Sequence, residues 1–404
     1  MRLRDGLWGW AFLLIGLAGC DDFKTHPAQT ATTSSASNAQ VASVAPQVAT
    51  PPPAAQIQPA PADQVLAHPP PPTVGAPTPG SASAQGKAID DASFADRVTL
   101  AQERLLLIKA QVILDRAHFS PGVVDGRNGT NFSRALAAFE AARNAPATAP
   151  GSASPSASAP TALLDAAAWQ ALTASDSAPV TRDYVITAAD VKGPFLQTIP
   201  PTMADQAKLP HLGYTTPVQA LAEKFHMGQA LLVALNPGVD FGLAGTSIVV
   251  VRPGDGPILG VARVEVDKGA NQVRAFDTAG KLVAMFPATV GSTERPAPSG
   301  QFAVRFVVPN PSYTYDPSRL TFGNAAGGKL TLQPGPNNPV GSTWIDISVK
   351  TYGIHGAPDP TQIGKTASHG CVRLTNWDAA ALGKAVKKGT PVLFVGDAQR
   401  RTKA

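Results

Sequence analysis

Cysteine is nearly absent: the chain has Cys20 and Cys371 and no others in 404 residues. No disulfide framework can therefore hold the fold. There is no phosphate-cradling glycine loop, no dinucleotide-binding fingerprint and no kinase signature, so the first readings are not nucleotide-dependent ones. No repeat of roughly 30 residues points to a solenoid. Charge of one sign is also scarce. The net charge is +5, and the basic excess lies towards the C-terminus, with 17 Lys and Arg against 9 Asp and Glu between positions 261 and 404. That excess suits an acidic substrate or surface. It is too diffuse for a nucleic-acid footprint, and no basic stripe is interleaved with aromatics. The apolar run from Gly6 to Gly19 is too short to span a bilayer comfortably.

The same run follows Arg2 and Arg4, as in an export signal. Its end, Leu17-Ala18-Gly19-Cys20, resembles the lipobox of bacterial lipoproteins. That resemblance implies a signal peptide over 1–19, acylation of Cys20 and a membrane-anchored protein in the periplasm of a Gram-negative-type envelope. Cys371 then has no partner in an oxidising compartment and reads as a reactive thiol.

Residues 20–93 are rich in Pro, Ala and Ser and poor in large apolar side chains. They read as a disordered linker, because too little burial offsets the chain entropy. Folded sequence is expected from about 94. Leu105, Ile108, Val112 and Leu114 recur at helical spacing. Turn residues from Gly122 to Gly129 and a second helix through Phe139 follow. A low-complexity insert at 145–162 precedes a third helix over 163–172. Residues 94–178 resemble the three-helix peptidoglycan-binding module. Residues 211–254 resemble a LysM module with strand, helix, helix and strand, on the Leu-Ala-Glu-Lys-Phe run, Asn236-Pro237-Gly238 and Gly245-Thr246. His226 reads there as a structural residue.

From 258 to 397 the pattern changes to a period of two. The runs GVARVEVD, QVRAFD and LVAMFPATVG are separated by glycine-bearing turns, which predicts antiparallel hairpins. One clear helix starts near Asn376, and TPVLFV reads as a closing strand before a basic tail at 398–404. The fold class expected is α+β and multidomain, with a mostly β domain last.

Cys371 sits in Ala-Ser-His-Gly-Cys-Val-Arg-Leu-Thr-Asn. A thiol becomes strongly nucleophilic where positive charge or N–H groups stabilise its thiolate. His369, Gly370 and Arg373 are the local candidates, and adjacent amides at such a glycine turn could face an oxyanion. His355, sixteen residues upstream in YGIHG, is the candidate general base. Three readings compete at this stage. One is a Cys/His acyl-transfer site. Another is a metal site built from His355, His369 and Cys371. The third is a buried inert cysteine, which the polar flanks disfavour.

YGIHG followed by SHGCVRLTNWD resembles the signature of the YkuD-type L,D-transpeptidases, and PSGQFAV and GPNNPVG upstream agree with it. The resemblance implies a mostly β YkuD-like catalytic domain over 258–397. It implies attack by Cys371 on a peptidoglycan tetrapeptide stem, with release of D-alanine and transfer of the thioester to an amine. That amine belongs to another stem or to an envelope protein. His355 would be the base; Ser368, His369, Gly370, Arg373 and Gly356 would form the oxyanion and substrate-binding set. No metal or other cofactor is implied. The alternatives are an L,D-carboxypeptidase, with water as acceptor, and a non-catalytic lipoprotein that tethers membrane to wall.

Overall fold

The computed structural model describes residues 81–95, 98–144, 164–291, 296–317, 328–366 and 370–396. The signal peptide, Cys20, the insert at 145–162, Ser368, His369 and the tail at 398–404 lie outside the described residues.

Helix α1, Ser81–Asp90, occupies the end of the stretch expected to be linker. That expectation fails from 81 onward for two reasons. The Asp90 carboxylate accepts hydrogen bonds from Val180 N, Thr181 N and Thr181 Oγ1 at 2.7, 3.0 and 2.8 Å. Ile89 is also fully buried. A single anchoring apolar residue and one carboxylate are too small a signal to stand out in Ala/Ser-rich sequence.

Three longer helices follow: α2, Leu100–Arg116; α3, Thr130–Asn144; and α4, Ala166–Ser175. A capping box starts α2, with Thr99 and Gln102 satisfying each other's backbone N–H groups. Its run from Leu106 to Leu114 is buried except at half-buried Lys109, whose Nζ donates to Asp90 O and Ala92 O, so the helix is covered on nearly all sides. Next come β1, Thr181–Val185; α5, Ala188–Val191; α6, Met203–Gln206; α7, Pro217–Lys224; α8, Gln229–Leu235; and β2, Ser247–Val251.

Strand β1 pairs antiparallel with β2, Thr181 opposite Val251. The strand that pairs with β2 therefore lies at 181–185 and not near 211, and four helices, α5 to α8, stand between the two strands. The strand expected near Leu212 is an extended segment bonded elsewhere: Leu212 N donates to Pro334 O, and Leu212 O accepts from Asn337 N, both at 2.9 Å. Its backbone satisfies another partner first, so apolar patterning alone misassigned it. Asn236 is buried and staples α8 to β2, donating to Leu232 O and Val249 O and accepting from Val249 N. The segments before and after β1 share one core. Leu107, Ile113 and Phe132 join Leu221, Phe225, Leu232 and Val250 in a single buried cluster. Segments this small bury little alone, which favours a common interior.

The remaining elements are β3, Arg263–Asp267; β4, Gln272–Phe276; β5, Leu282–Pro287; β6, Thr289–Val290; β7, Gly300–Pro309; β8, Tyr313–Tyr315; β9, Leu330–Leu332; β10, Thr343–Ile347; β11, Gly353–His355; β12, Val372–Arg373; α9, Asn376–Ala385; and β13, Pro391–Val395. Nine of them form one sheet in the order β5-β4-β3-β13-β7-β10-β11-β12-β6. The mostly β domain is thus present with its single clear helix. α9 is capped by Thr375, whose hydroxyl accepts from Asp378 N. The β8–β9 hairpin stands apart from the large sheet. With Leu212 it builds a third small core, in which Tyr315 and Leu332 are buried.

The helical part meets the sheet through matched polar and aromatic contacts. Ser120 N donates to Met285 O at 2.8 Å, and Met285 N donates to His118 O at 2.9 Å. His226 stacks on Trp377 with ring centroids 4.9 Å apart, and its Nδ1 lies 3.0 Å from the Asp115 carboxylate.

Candidate active site

Strand order decides which side chains meet. β11 lies between β10 and β12, antiparallel to the first and parallel to the second. His355 is level with Trp344 on one side and Arg373 on the other. Side chains alternate along a strand, so Cys371, two residues before Arg373, shares the face of His355 and Arg373. All three line one cleft of about 990 Å³.

His355 is buried and stacks on Trp344, with centroids 5.4 Å apart and planes 19° from parallel. Its Nδ1 is 2.6 Å from Gly356 O. A carbonyl can only accept, so Nδ1 carries the proton and Nε2 carries the lone pair. Burial, then the Arg373 charge, push its pKa down to about 3. The imidazole is therefore neutral at pH 7 and able to take a proton.

Burial pushes the Cys371 thiol up; a bond from the Gly353 backbone and the Arg373 charge pull the other way without prevailing. The stabilised thiolate expected from the flanking His, Gly and Arg is not what the site holds. Desolvation outweighs one cation that is itself half-buried. The resting pair is thiol and neutral imidazole. Alkylation of Cys371 by iodoacetamide should accordingly rise with pH to a midpoint above the ordinary thiol value of about 8.5. A midpoint below that value, measured by mass spectrometry of timed samples, would contradict this electrostatic picture.

Arg373 is desolvated, and no carboxylate of the described residues forms a salt bridge with it. It is a cation held in the cleft wall, fit for an anionic group. Gly356 departs from its expected place in the substrate-binding set. Its N–H donates to Thr343 O at 3.1 Å, and its carbonyl is taken by His355. A Cβ there would stand 2.2 Å from Asn376 Oδ1. Gly356 instead lets the start of α9 approach the back of the histidine strand. Gly370 is buried, with a positive φ of 116°. The metal-site alternative needs His369, which lies outside the described residues.

Sequence reasoning missed Trp344, Tyr313 and Met203, which also line the cleft. Trp344 could have been found as the one tryptophan in the strand before YGIHG. Nothing local marks Met203, more than 150 residues upstream of the histidine.

Comparison with known proteins agrees with this geometry. The profile of the YkuD L,D-transpeptidase catalytic domain matches residues 262–393. A Bacillus subtilis protein named as an L,D-transpeptidase, YqjB, is 31% identical over 149 residues, covering 36% of this chain and 77% of YqjB. The chain belongs to the YkuD family of L,D-transpeptidases. YkuD of Bacillus licheniformis is 27% identical over 176 residues, 43% of this chain and 91% of that protein. YbiS of Escherichia coli K12 is 28% identical over 195 residues, 47% of this chain and 63% of YbiS. Among solved structures, an L,D-transpeptidase from Mycobacterium smegmatis is 22% identical, covering 38% of this chain and 64% of that one, with a TM-score of 0.28. An overlay that loose carries no argument. In this YkuD-family chain, the matched span contains β3 through β12, hence both His355 and Cys371.

Proposed function

We propose that this L,D-transpeptidase acylates Cys371 with a peptidoglycan tetrapeptide stem and transfers the acyl group to an amine. The observation that supports this reading is the pairing of a neutral imidazole, its Nε2 lone pair free, with a thiol on the same face of one cleft. As Sγ attacks the carbonyl of the diamino acid residue, its proton passes to His355 Nε2. Collapse of the tetrahedral adduct breaks the bond to D-alanine, whose nitrogen leaves with that proton. An acceptor amine then attacks the thioester and gives its proton to the same nitrogen, and Cys371 is regenerated. Arg373 supplies the charge for a stem carboxylate. The exchange replaces one amide by another through a thioester, so it needs no nucleotide.

The lipobox-like Leu17-Ala18-Gly19-Cys20 supports a periplasmic, lipid-anchored enzyme, and the two accessory modules support docking on the wall. The test is incubation of purified protein with disaccharide tetrapeptides, followed by mass spectrometry. D-alanine release together with a crosslinked dimer is the expected result. A tripeptide alone would make water the acceptor, and an unchanged tetrapeptide would remove the proposal.

A further inference from the structure

The connection between β1 and α7 reaches into the cleft. Ile199, Met203 and Gln206 line it together with His355, Cys371 and Arg373. These three residues lie outside the span matched by the catalytic-domain profile, 262–393. Ile199 and Met203 pack against neither large core. They pack on the third small one, with Leu212, Tyr315 and Leu332.

The connection is fastened to the cleft rim. Besides the two backbone bonds of Leu212, Asn337 Nδ2 donates to Gly213 O at 2.7 Å. At Gly335, with φ of 148°, a Cβ would stand 2.1 Å from Leu212 O, so only glycine permits this approach. Gln206 Nε2 donates to Pro200 O at 2.8 Å, which ties α6 back to the segment before it.

We propose that this connection is a substrate-binding wall of the catalytic cleft. Ile199 and Met203 take the aliphatic flank of the stem peptide, and Gln206 positions them through its bond to Pro200 O. Arg373 meets an anionic group of the stem in the same cleft. The accessory module is then part of the specificity of the enzyme as well as a tether. This inference rests on the stem-peptide reading of the cleft.

The experiment uses the full chain and a disaccharide tetrapeptide. Kd is measured on the Cys371→Ala background, and KM and kcat on the otherwise unaltered protein. Met203→Ser and Ile199→Ser should each raise Kd and KM about tenfold, the scale of one lost side-chain contact, with kcat within about twofold. Met203→Leu should restore Kd and KM to within about twofold. The iodoacetamide rate at Cys371 should stay within about twofold throughout, which separates a lost contact from a damaged site. If D-alanine is released but neither Met203→Ser nor Ile199→Ser moves Kd or KM, the wall is overturned and the enzyme remains. If no D-alanine is released but Kd still shifts tenfold, the wall stands and the acyl-transfer reading falls. Absence of any tetrapeptide binding overturns the wall.

Discussion

Replacing Cys371 with alanine should lower D-alanine release from a tetrapeptide stem by at least about 10⁴-fold, the scale seen when a covalent nucleophile is removed from an acyl-transfer site. No second thiol lies among the described residues, since Cys20 is outside them. The thiol is half-buried, 3.8 Å from Thr351 O, and takes a bond from the Gly353 backbone. Its loss should therefore leave thermal unfolding within about 1 kcal/mol of the parent. Binding to sacculi should persist under the proposal that the accessory segments dock on the wall. Release that continues undiminished in Cys371→Ala would end the assignment of this residue as nucleophile, whatever else the cleft does.

His355→Gln should cost roughly 10²- to 10⁴-fold in kcat/KM, the usual contribution of a positioned general base. Glutamine can keep a donor towards Gly356 O and a flat face against Trp344, but it has no basic nitrogen. The wild-type rate should show no acid limb near the ordinary histidine value of about 6.5, because burial keeps the imidazole neutral down to about 3. Stability carries the same signature with a definite sign. The folded pKa lies below the unfolded one, so the unfolded chain takes up the proton first as pH falls. The His355 contribution is complete above the unfolded value and is lost as pH drops towards about 3. Urea midpoints of wild type and His355→Gln should therefore converge on acidification from pH 7 to pH 4. Curves that stay parallel over that range would mean that the imidazole is already charged or already solvated.

The candidate pair was legible because both residues sit in short, unusual runs. YGIHG and SHGCVRLTN each combine glycine, histidine and a neighbour that a core strand has no need for. The hairpins from Arg263 to Pro287 were legible for a related reason, as alternation and turn glycines are local. Three things were not. Helix α1 rests on buried Ile89 and on Asp90, whose partners Val180 and Thr181 lie about 90 residues away. The partner strand of β2 lies at 181–185, ahead of four helices, because the backbone of Leu212 is engaged by the rim of the cleft. Gly356 carried no sign of its packing against Asn376, which only the placement of α9 reveals.

The sequence by itself determined which functional groups are available: a solitary thiol, an imidazole between glycines, an arginine two residues beyond the thiol, and an alternating pattern able to make a sheet beneath them. Only the tertiary structure decided their protonation and their company. Burial makes the thiol a weaker acid and the imidazole a weaker base than their neighbours in sequence suggest, and desolvation depends on atoms packed from every direction. The wall that faces them comes from a connection more than 140 residues upstream, because side chains distant along the chain meet only when the fold closes.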